Sequence, residues 1–193
     1  MTHSISVFGL GYVGTVTAAC LAHKGCHVIG VDPSPVKVEA MRSGRSPIVE
    51  PRVAELISEQ HAAGSLQATA DAEHAVLNSE ISFLCVGTPS LRNGKLDLGH
   101  IEPVCEEIGE ILKKKKDFHL VVLRSTVLPG TAETIVVPAL ERTSGKRLGQ
   151  GFGVCVNPEF MREGTAVADF LEPAMTIIGS SDATHSRRLR EVG

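Results

Sequence analysis

Apolar residues follow two rhythms along this chain, and the alternation between them predicts its elements. Short, largely apolar runs at 4–8, 27–32, 66–69, 81–86, 119–123 and 152–156 are too brief for helices and read as strands of a sheet buried on both faces. A further apolar run, 175–178, is a candidate seventh strand. Between them the period changes to that of a helix. Residues 12–24 bring Val13, Val16, Cys20 and Leu21 onto one face and close at Gly25, and Ser34 followed by Pro35 opens a short helix ending at Gly44. Helices follow at 52–61, closing at Gly64, at 72–77 and at 98–115, the last with Ile101, Val104, Cys105, Ile108 and Leu112 at helical spacing. Residues 131–141 are helical in pattern, with Pro138 expected to kink the helix or end it early, and Asp182 caps a last helix. Strands alternating with helices, without repeat or linker, predict an α/β chain: one domain over 1–193 with a doubly wound parallel sheet.

The first strand–helix junction carries the clearest chemistry. Gly9-x-Gly11-x-x-Gly14 lies between an apolar run and a helical pattern, with Asp32 about 20 positions on. Gly9 permits the tight turn, Gly11 lets a pyrophosphate approach the backbone, and Gly14 lets the helix lie against the strand. The unpaired amides of a helix start suit a diphosphate. Asp32 can accept from both ribose hydroxyls and would repel a 2′-phosphate, and the next residues are Pro33-Ser34-Pro35 rather than an arginine. The expected cofactor is therefore NAD rather than NADP, on a Rossmann-type domain. An S-adenosylmethionine-dependent methyltransferase fits this glycine spacing and acidic residue less well.

Composition narrows the classes. With no Trp and only 4% aromatic residues, the core must be built from Val, Ile, Leu and Ala. A net charge of −3 gives no long-range attraction to nucleic acid or an anionic membrane. There is no transmembrane-length apolar segment, and the chain enters a strand within its first residues without a signal peptide, so a cytoplasmic location is expected. The five cysteines (Cys20, Cys26, Cys85, Cys105, Cys155) lack metal spacing and sit mostly within apolar patterns, which reads as buried reduced thiols; no metal is expected among eight scattered histidines.

The turns after the first, fourth, fifth and sixth strands belong on one sheet edge. Gly9–Gly14, Thr88, Thr126 and Glu159–Glu163 are thus expected to converge on one cleft. Residues 45–51 form a proline-punctuated loop and Asn93-Gly94 a loop tip, and the run Lys113–Lys116 reads as a solvated helix end rather than a phosphate site. On its own residue type Thr126 reads as a turn residue, and Glu159 as a strand-end carboxylate capping backbone amides.

Five stretches then carry a resemblance: 8–14 (Phe-Gly-Leu-Gly-Tyr-Val-Gly), 46–51 (Ser-Pro-Ile-Val-Glu-Pro), 85–89 (Cys-Val-Gly-Thr-Pro), 124–131 (Arg-Ser-Thr-Val-Leu-Pro-Gly-Thr) and 157–164 (Asn-Pro-Glu-Phe-Met-Arg-Glu-Gly). Together they resemble the UDP-glucose/GDP-mannose dehydrogenase family over nearly the whole chain. The 124–131 stretch and 173–179 are more similar to the GDP-mannose branch than to the UDP-glucose branch. The family oxidises the C6 hydroxyl of a nucleotide sugar to a carboxylate with two NAD, through a thiohemiacetal and a thioester on a cysteine. The resemblance implies that Gly9, Gly11, Tyr12, Val13, Gly14, Asp32, Lys37, Thr88 and Thr126 bind NAD. It further implies that Thr126, Glu159 and Glu163 serve the chemistry and that Phe160, Met161, Arg162 and Glu163 face the sugar nucleotide. The family's nucleophilic cysteine lies in a glycine-rich loop of a C-terminal portion, and none of the five cysteines here matches it. The chain resembles the cofactor half of an enzyme whose intact members oligomerise through other segments, and alone it is expected to bind NAD without turnover. A non-catalytic NAD-binding module is the reading from another class.

Overall fold

The computed structural model describes residues 3–92, 94 and 96–192; Asn93 of the expected loop tip lies outside them. Seven strands form one sheet: β1 (Ser4–Phe8), β2 (His27–Val31), β3 (Leu66–Thr69), β4 (Ile81–Leu84), β5 (His119–Leu123), β6 (Arg147–Leu148) and β7 (Gly151–Val156). Their order is β3-β2-β1-β4-β5-β7-β6, and every pairing of these strands is parallel. The chain winds outward from β1 in one direction and from β4 in the other. The boundary between these two strands is the switch point, where the turns leaving neighbouring strands diverge and open a crevice.

Alternation along each strand sends side chains to both faces, and both are covered. Ile5, Val7, Leu120 and Val122 belong to one core with Val16, Leu21, Leu56 and Ile57, contributed by α1 (Tyr12–His23) and α3 (Val53–Ala62). Short α2 (Pro35–Arg42) adds Val38 and Met41 to the same face. Phe8, Leu84, Val121 and Leu123 belong to a second core beneath α4 (Ala72–Leu77), α5 (Ile101–Leu112) and α6 (Val137–Ser144). α5 and α6 lie so close that a Cβ on Gly109 would stand 1.8 Å from Thr143 Oγ1. Two further helices, α7 (Ala166–Leu171) and α8 (Ala183–Arg190), cover the β7 end of the first face, α8 by stacking the buried His185 ring on Gly153 and Phe118.

Four expectations change. Residues 175–178 are not a strand: Met175 and Ile177 are exposed, and only Gly179 beyond them bridges Val156. The outer neighbour of β7 is instead the two-residue β6, too short and too polar to leave an apolar run. Strand β4 ends at Leu84, two residues early, although the Cys85 amide still bonds Phe8 O at 2.8 Å. Pro138 does not end its helix early: Ala132–Val136 forms a wide π-turn before it, and the proline sits in the first turn of α6, which runs on to Ser144. The lysine run is only partly solvated. Lys113 and Lys114 pair on the surface with Glu110 and Glu73, whereas Lys115 is buried and donates to Val76 O, Ser79 O and His119 Nδ1.

Candidate functional site

The glycine turn is built by close approach. Gly9 has φ +91, and a Cβ there would lie 2.8 Å from Cys85 O, so the turn leaves β1 pressed against the end of β4. A Cβ on Gly14 would stand 1.8 Å from Gly9 O, which means that α1 can pack on the turn only without one. Gly11 is different: its φ is −77, and a Cβ would meet nothing within 4 Å. The fold itself makes no demand for glycine at position 11; the space beside it belongs to the cleft. No side chain caps α1, leaving its first-turn amides for an external acceptor.

Asp32 is buried at the end of β2, and its carboxylate closes this corner. Oδ2 accepts from the Leu10 amide at 2.7 Å and from Lys37 Nζ at 3.1 Å, while Oδ1 accepts from the Ser34 amide at 2.9 Å. A carboxylate offers about four acceptor positions, so about one remains on Oδ1 for a ligand hydroxyl. Across the cleft Thr88 Oγ1 donates to Thr126 O at 2.7 Å, joining the turns after β4 and β5. Gly9, Gly11, Asp32, Lys37, Thr88 and Thr126 line one cleft of about 1070 Å³, together with Pro103 and Val104. This room, lined both by polar Asp32, Lys37 and Thr88 and by apolar Val31, Pro103 and Val104, is ample for a dinucleotide. Of the other residues expected to bind NAD, Gly14 is buried behind the turn, and Tyr12 and Val13 pack onto the first core.

The 159–162 segment lines a second cleft of about 630 Å³, with Lys24, Arg124 and Phe170. Cys85 lines the first cleft and lies within electrostatic reach of Arg124 and Glu159 on the second, so both open along the same sheet edge. The first three turns thus share one cleft, and the turn after β7 opens its neighbour. Asn157 anchors that turn: its amide donates to Leu123 O at 2.9 Å, its Nδ2 to Ile177 O at 2.8 Å, and its Oδ1 accepts from Arg124 Nη1 at 2.5 Å. Glu159 accepts from the Met161 amide at 2.6 Å. Arg162 grips Asp169 with Nη2 and Nε at 2.7 and 3.1 Å, which holds the Asp169 carboxyl well below the usual carboxylate range. Glu163 is exposed and near enough to Tyr12 for its charge to act on the phenol.

Sequence reasoning missed Arg124 and Glu50 as individual residues. Burial lowers the Arg124 pKa while the neighbouring Cys85 and Glu159 work the other way; the guanidinium lies over Phe170 at 5.2 Å, and its Nε has no hydrogen-bond partner among the described residues. Glu50 is buried, which opposes its charge, but hydrogen bonds from Gly164, Tyr12 and Ala166 prevail and keep its carboxyl below the usual range. Burial foremost, then Glu50 and Glu163, pushes the Tyr12 phenol upward. No local pattern marks Glu50, since two of its three partners are more than a hundred residues away. All five cysteines are free and buried, burial raising their pKa, with Cys85 in the first cleft pushed up to about 12. Among the described residues no His/Cys/Asp/Glu group could hold a metal, and no helix is long and apolar enough to cross a membrane.

Comparison with known proteins agrees with this geometry. The family model for the UDP-glucose/GDP-mannose dehydrogenase family, NAD binding domain, matches residues 3–192. GDP-mannose 6-dehydrogenase of Pseudomonas aeruginosa is 52% identical over 188 residues, 97% of this chain and 43% of that protein. UDP-glucose 6-dehydrogenase of Haloferax volcanii is 42% identical over the same shares. A crystal structure of a ternary complex of the Pseudomonas aeruginosa GDP-mannose dehydrogenase superposes with a TM-score of 0.96 at 51% identity, covering 98% of this chain and 43% of that one. The chain therefore spans less than half the length of these relatives. A cleft behind an open glycine turn, a buried carboxylate at its corner and a family match over nearly all residues lead to one assignment: the chain belongs to the UDP-glucose/GDP-mannose dehydrogenase family and is its NAD-binding domain.

Proposed function

We propose that this chain is the cofactor half of an enzyme that oxidises the C6 hydroxyl of GDP-mannose to a carboxylate with two NAD. The observation that carries the reading is the pair of adjoining clefts, one shaped for a dinucleotide and the other lined by Glu159 and the 160–162 backbone. The relation to GDP-mannose 6-dehydrogenases at 52% identity, against 42% and 38% for UDP-glucose 6-dehydrogenases, favours the mannose nucleotide.

When bound, NAD accepts hydride. The chain's own residues bind and orient: the first-turn amides of α1 receive the diphosphate, Asp32 takes a ribose hydroxyl through the open position on Oδ1, and Thr88 holds the Thr126 turn beside the cleft. Glu159 acts as base towards a water that the Thr126 hydroxyl helps hold, and Arg124 keeps positive charge near that carboxylate. Glu163 and the backbone of Phe160, Met161 and Arg162 face the sugar nucleotide. Calorimetry on the purified chain tests the cofactor side: NAD binds, and NADP binds at least about tenfold more weakly, because its extra phosphate meets the Asp32 carboxylate. Equal affinities would refute the role given to Asp32. On the substrate side, GDP-mannose but not UDP-glucose is expected to shift the amide resonances of residues 157–164, and an unmoved segment would refute the assignment of the second cleft.

A further inference from the structure

Glu50 joins the glycine turn to the segment after β7, and neither cleft uses it. Its side chain is buried, and its three donors come from two distant stretches: Tyr12 Oη at 2.7 Å and the Gly164 amide at 2.9 Å on Oε2, and the Ala166 amide at 2.9 Å on Oε1. The backbone around it is shaped for this contact. Val49 beside it is 99% exposed, so the loop turns Glu50 inward and its neighbour out. Two residues later Arg52 has φ +67, the one positive φ at a non-glycine among the described residues, and Gly164 has φ +88. Backbone held in so sparsely populated a region persists where surrounding contacts over-determine it. Tyr12, the chain's single tyrosine, is the first residue of α1.

We propose that Glu50 is a positioning residue that couples occupation of the glycine turn to order in the 157–166 segment; this rests on reading that segment as facing the nucleotide sugar. An anion on the first-turn amides fixes the Tyr12 backbone, and with it the phenol that donates to Glu50. The remaining acceptor capacity of Glu50 ends on Gly164 and Ala166, which bracket the C-terminal side of Glu159–Glu163. A ligand that favours the bound position of Tyr12 therefore favours the state in which both distant amides are bonded, and the linkage is reciprocal. Glu163, whose charge acts on Tyr12, lies on the same stretch.

Site-resolved amide exchange with and without saturating NAD tests this on the wild type, Glu50→Gln and Tyr12→Phe, saturation being set for each from its own measured NAD affinity. In the wild type NAD slows exchange at Gly164 and Ala166 about fivefold or more. In both variants that slowing falls below about twofold, while NAD still slows exchange at the glycine turn. A Glu50 that merely holds the fold would raise exchange at the two amides with and without NAD alike and leave the ratio unchanged. Persistence of the wild-type ratio in both variants, or absence of any NAD effect at these amides in the wild type, overturns the proposal. The substrate reading of the segment fails separately, through GDP-mannose leaving it unmoved, because the exchange ratio involves no sugar nucleotide.

Discussion

A methyl group added at Gly14 would lie 1.8 Å from the carbonyl oxygen of Gly9, while one added at Gly11 would meet nothing. The two substitutions therefore separate the fold from the ligand. Gly14→Ala is expected to cost about 3 kcal/mol or more, or to prevent folding, because backbone rather than a flexible side chain must move. Gly11→Ala is expected to change stability by less than about 1 kcal/mol, its φ being ordinary, yet to weaken NAD at least about tenfold. Thermal melts and calorimetry on both variants check the pair. At Asp32 the two demands coincide, since its carboxylate pins the Leu10 amide and keeps on Oδ1 the acceptor position proposed for the ribose. Asp32→Ala should lower NAD affinity by about tenfold or more and, by leaving a buried amide unpaired, cost about 1–3 kcal/mol of stability. The glycine spacing, the acidic residue and the different tasks expected of Gly14 and Gly11 were readable in the chain; what faces each Cβ, the Gly9 carbonyl for one and open cleft for the other, was not.

Among the elements, the strands and most helices followed from periodicity, while the polar floor of the α5 face did not. Ser6 on β1, Ser82 on β4 and His119 on β5 are buried side by side: Ser6 and Ser82 hydroxyls lie 2.7 Å apart, and Ser82 lies 2.7 Å from His119 Nε2. Lys115 reaches His119 Nδ1 at 3.0 Å from the end of α5. An ammonium only donates, so Nδ1 accepts and Nε2 carries the proton. Burial first, and the Lys115 charge second, push the His119 pKa down to about 3. Unfolded, the ring titrates near 6.5, so stability from its neutral burial is complete above that pH and is lost as pH falls towards 3. Between pH 7 and pH 5 this group should remove about 2 kcal/mol, visible in urea melts as a pH slope that His119→Gln lacks. A slope equal in the two proteins would refute it. Each residue of this network is ordinary in its own segment; only strand order and register make them neighbours.

At the scale of the whole molecule, the chain presents a cleft beside the glycine turn and a second one rimmed by exposed Phe160 and Met175. No cysteine is poised as a nucleophile: all five are buried, and burial raises their pKa, that of Cys85 included although it lines the first cleft. Incubated alone with GDP-mannose and NAD, the chain is expected to bind cofactor and release no NADH, as checked by the absorbance of the reduced nicotinamide. Sustained NADH release would show that turnover needs no thiol beyond these five. The sequence by itself determined the strand–helix rhythm, the parallel sheet and the dinucleotide turn, because each rests on residues within a few positions of one another or on the burial demand of an apolar run. Tertiary structure alone decided that the turns divide between two clefts, that a two-residue strand closes the sheet, that Lys115 is buried, and that Glu50 ties Tyr12 to Gly164 and Ala166. Those contacts span up to 116 residues, and a hydrogen bond across such a distance leaves no local trace in either of the segments it joins.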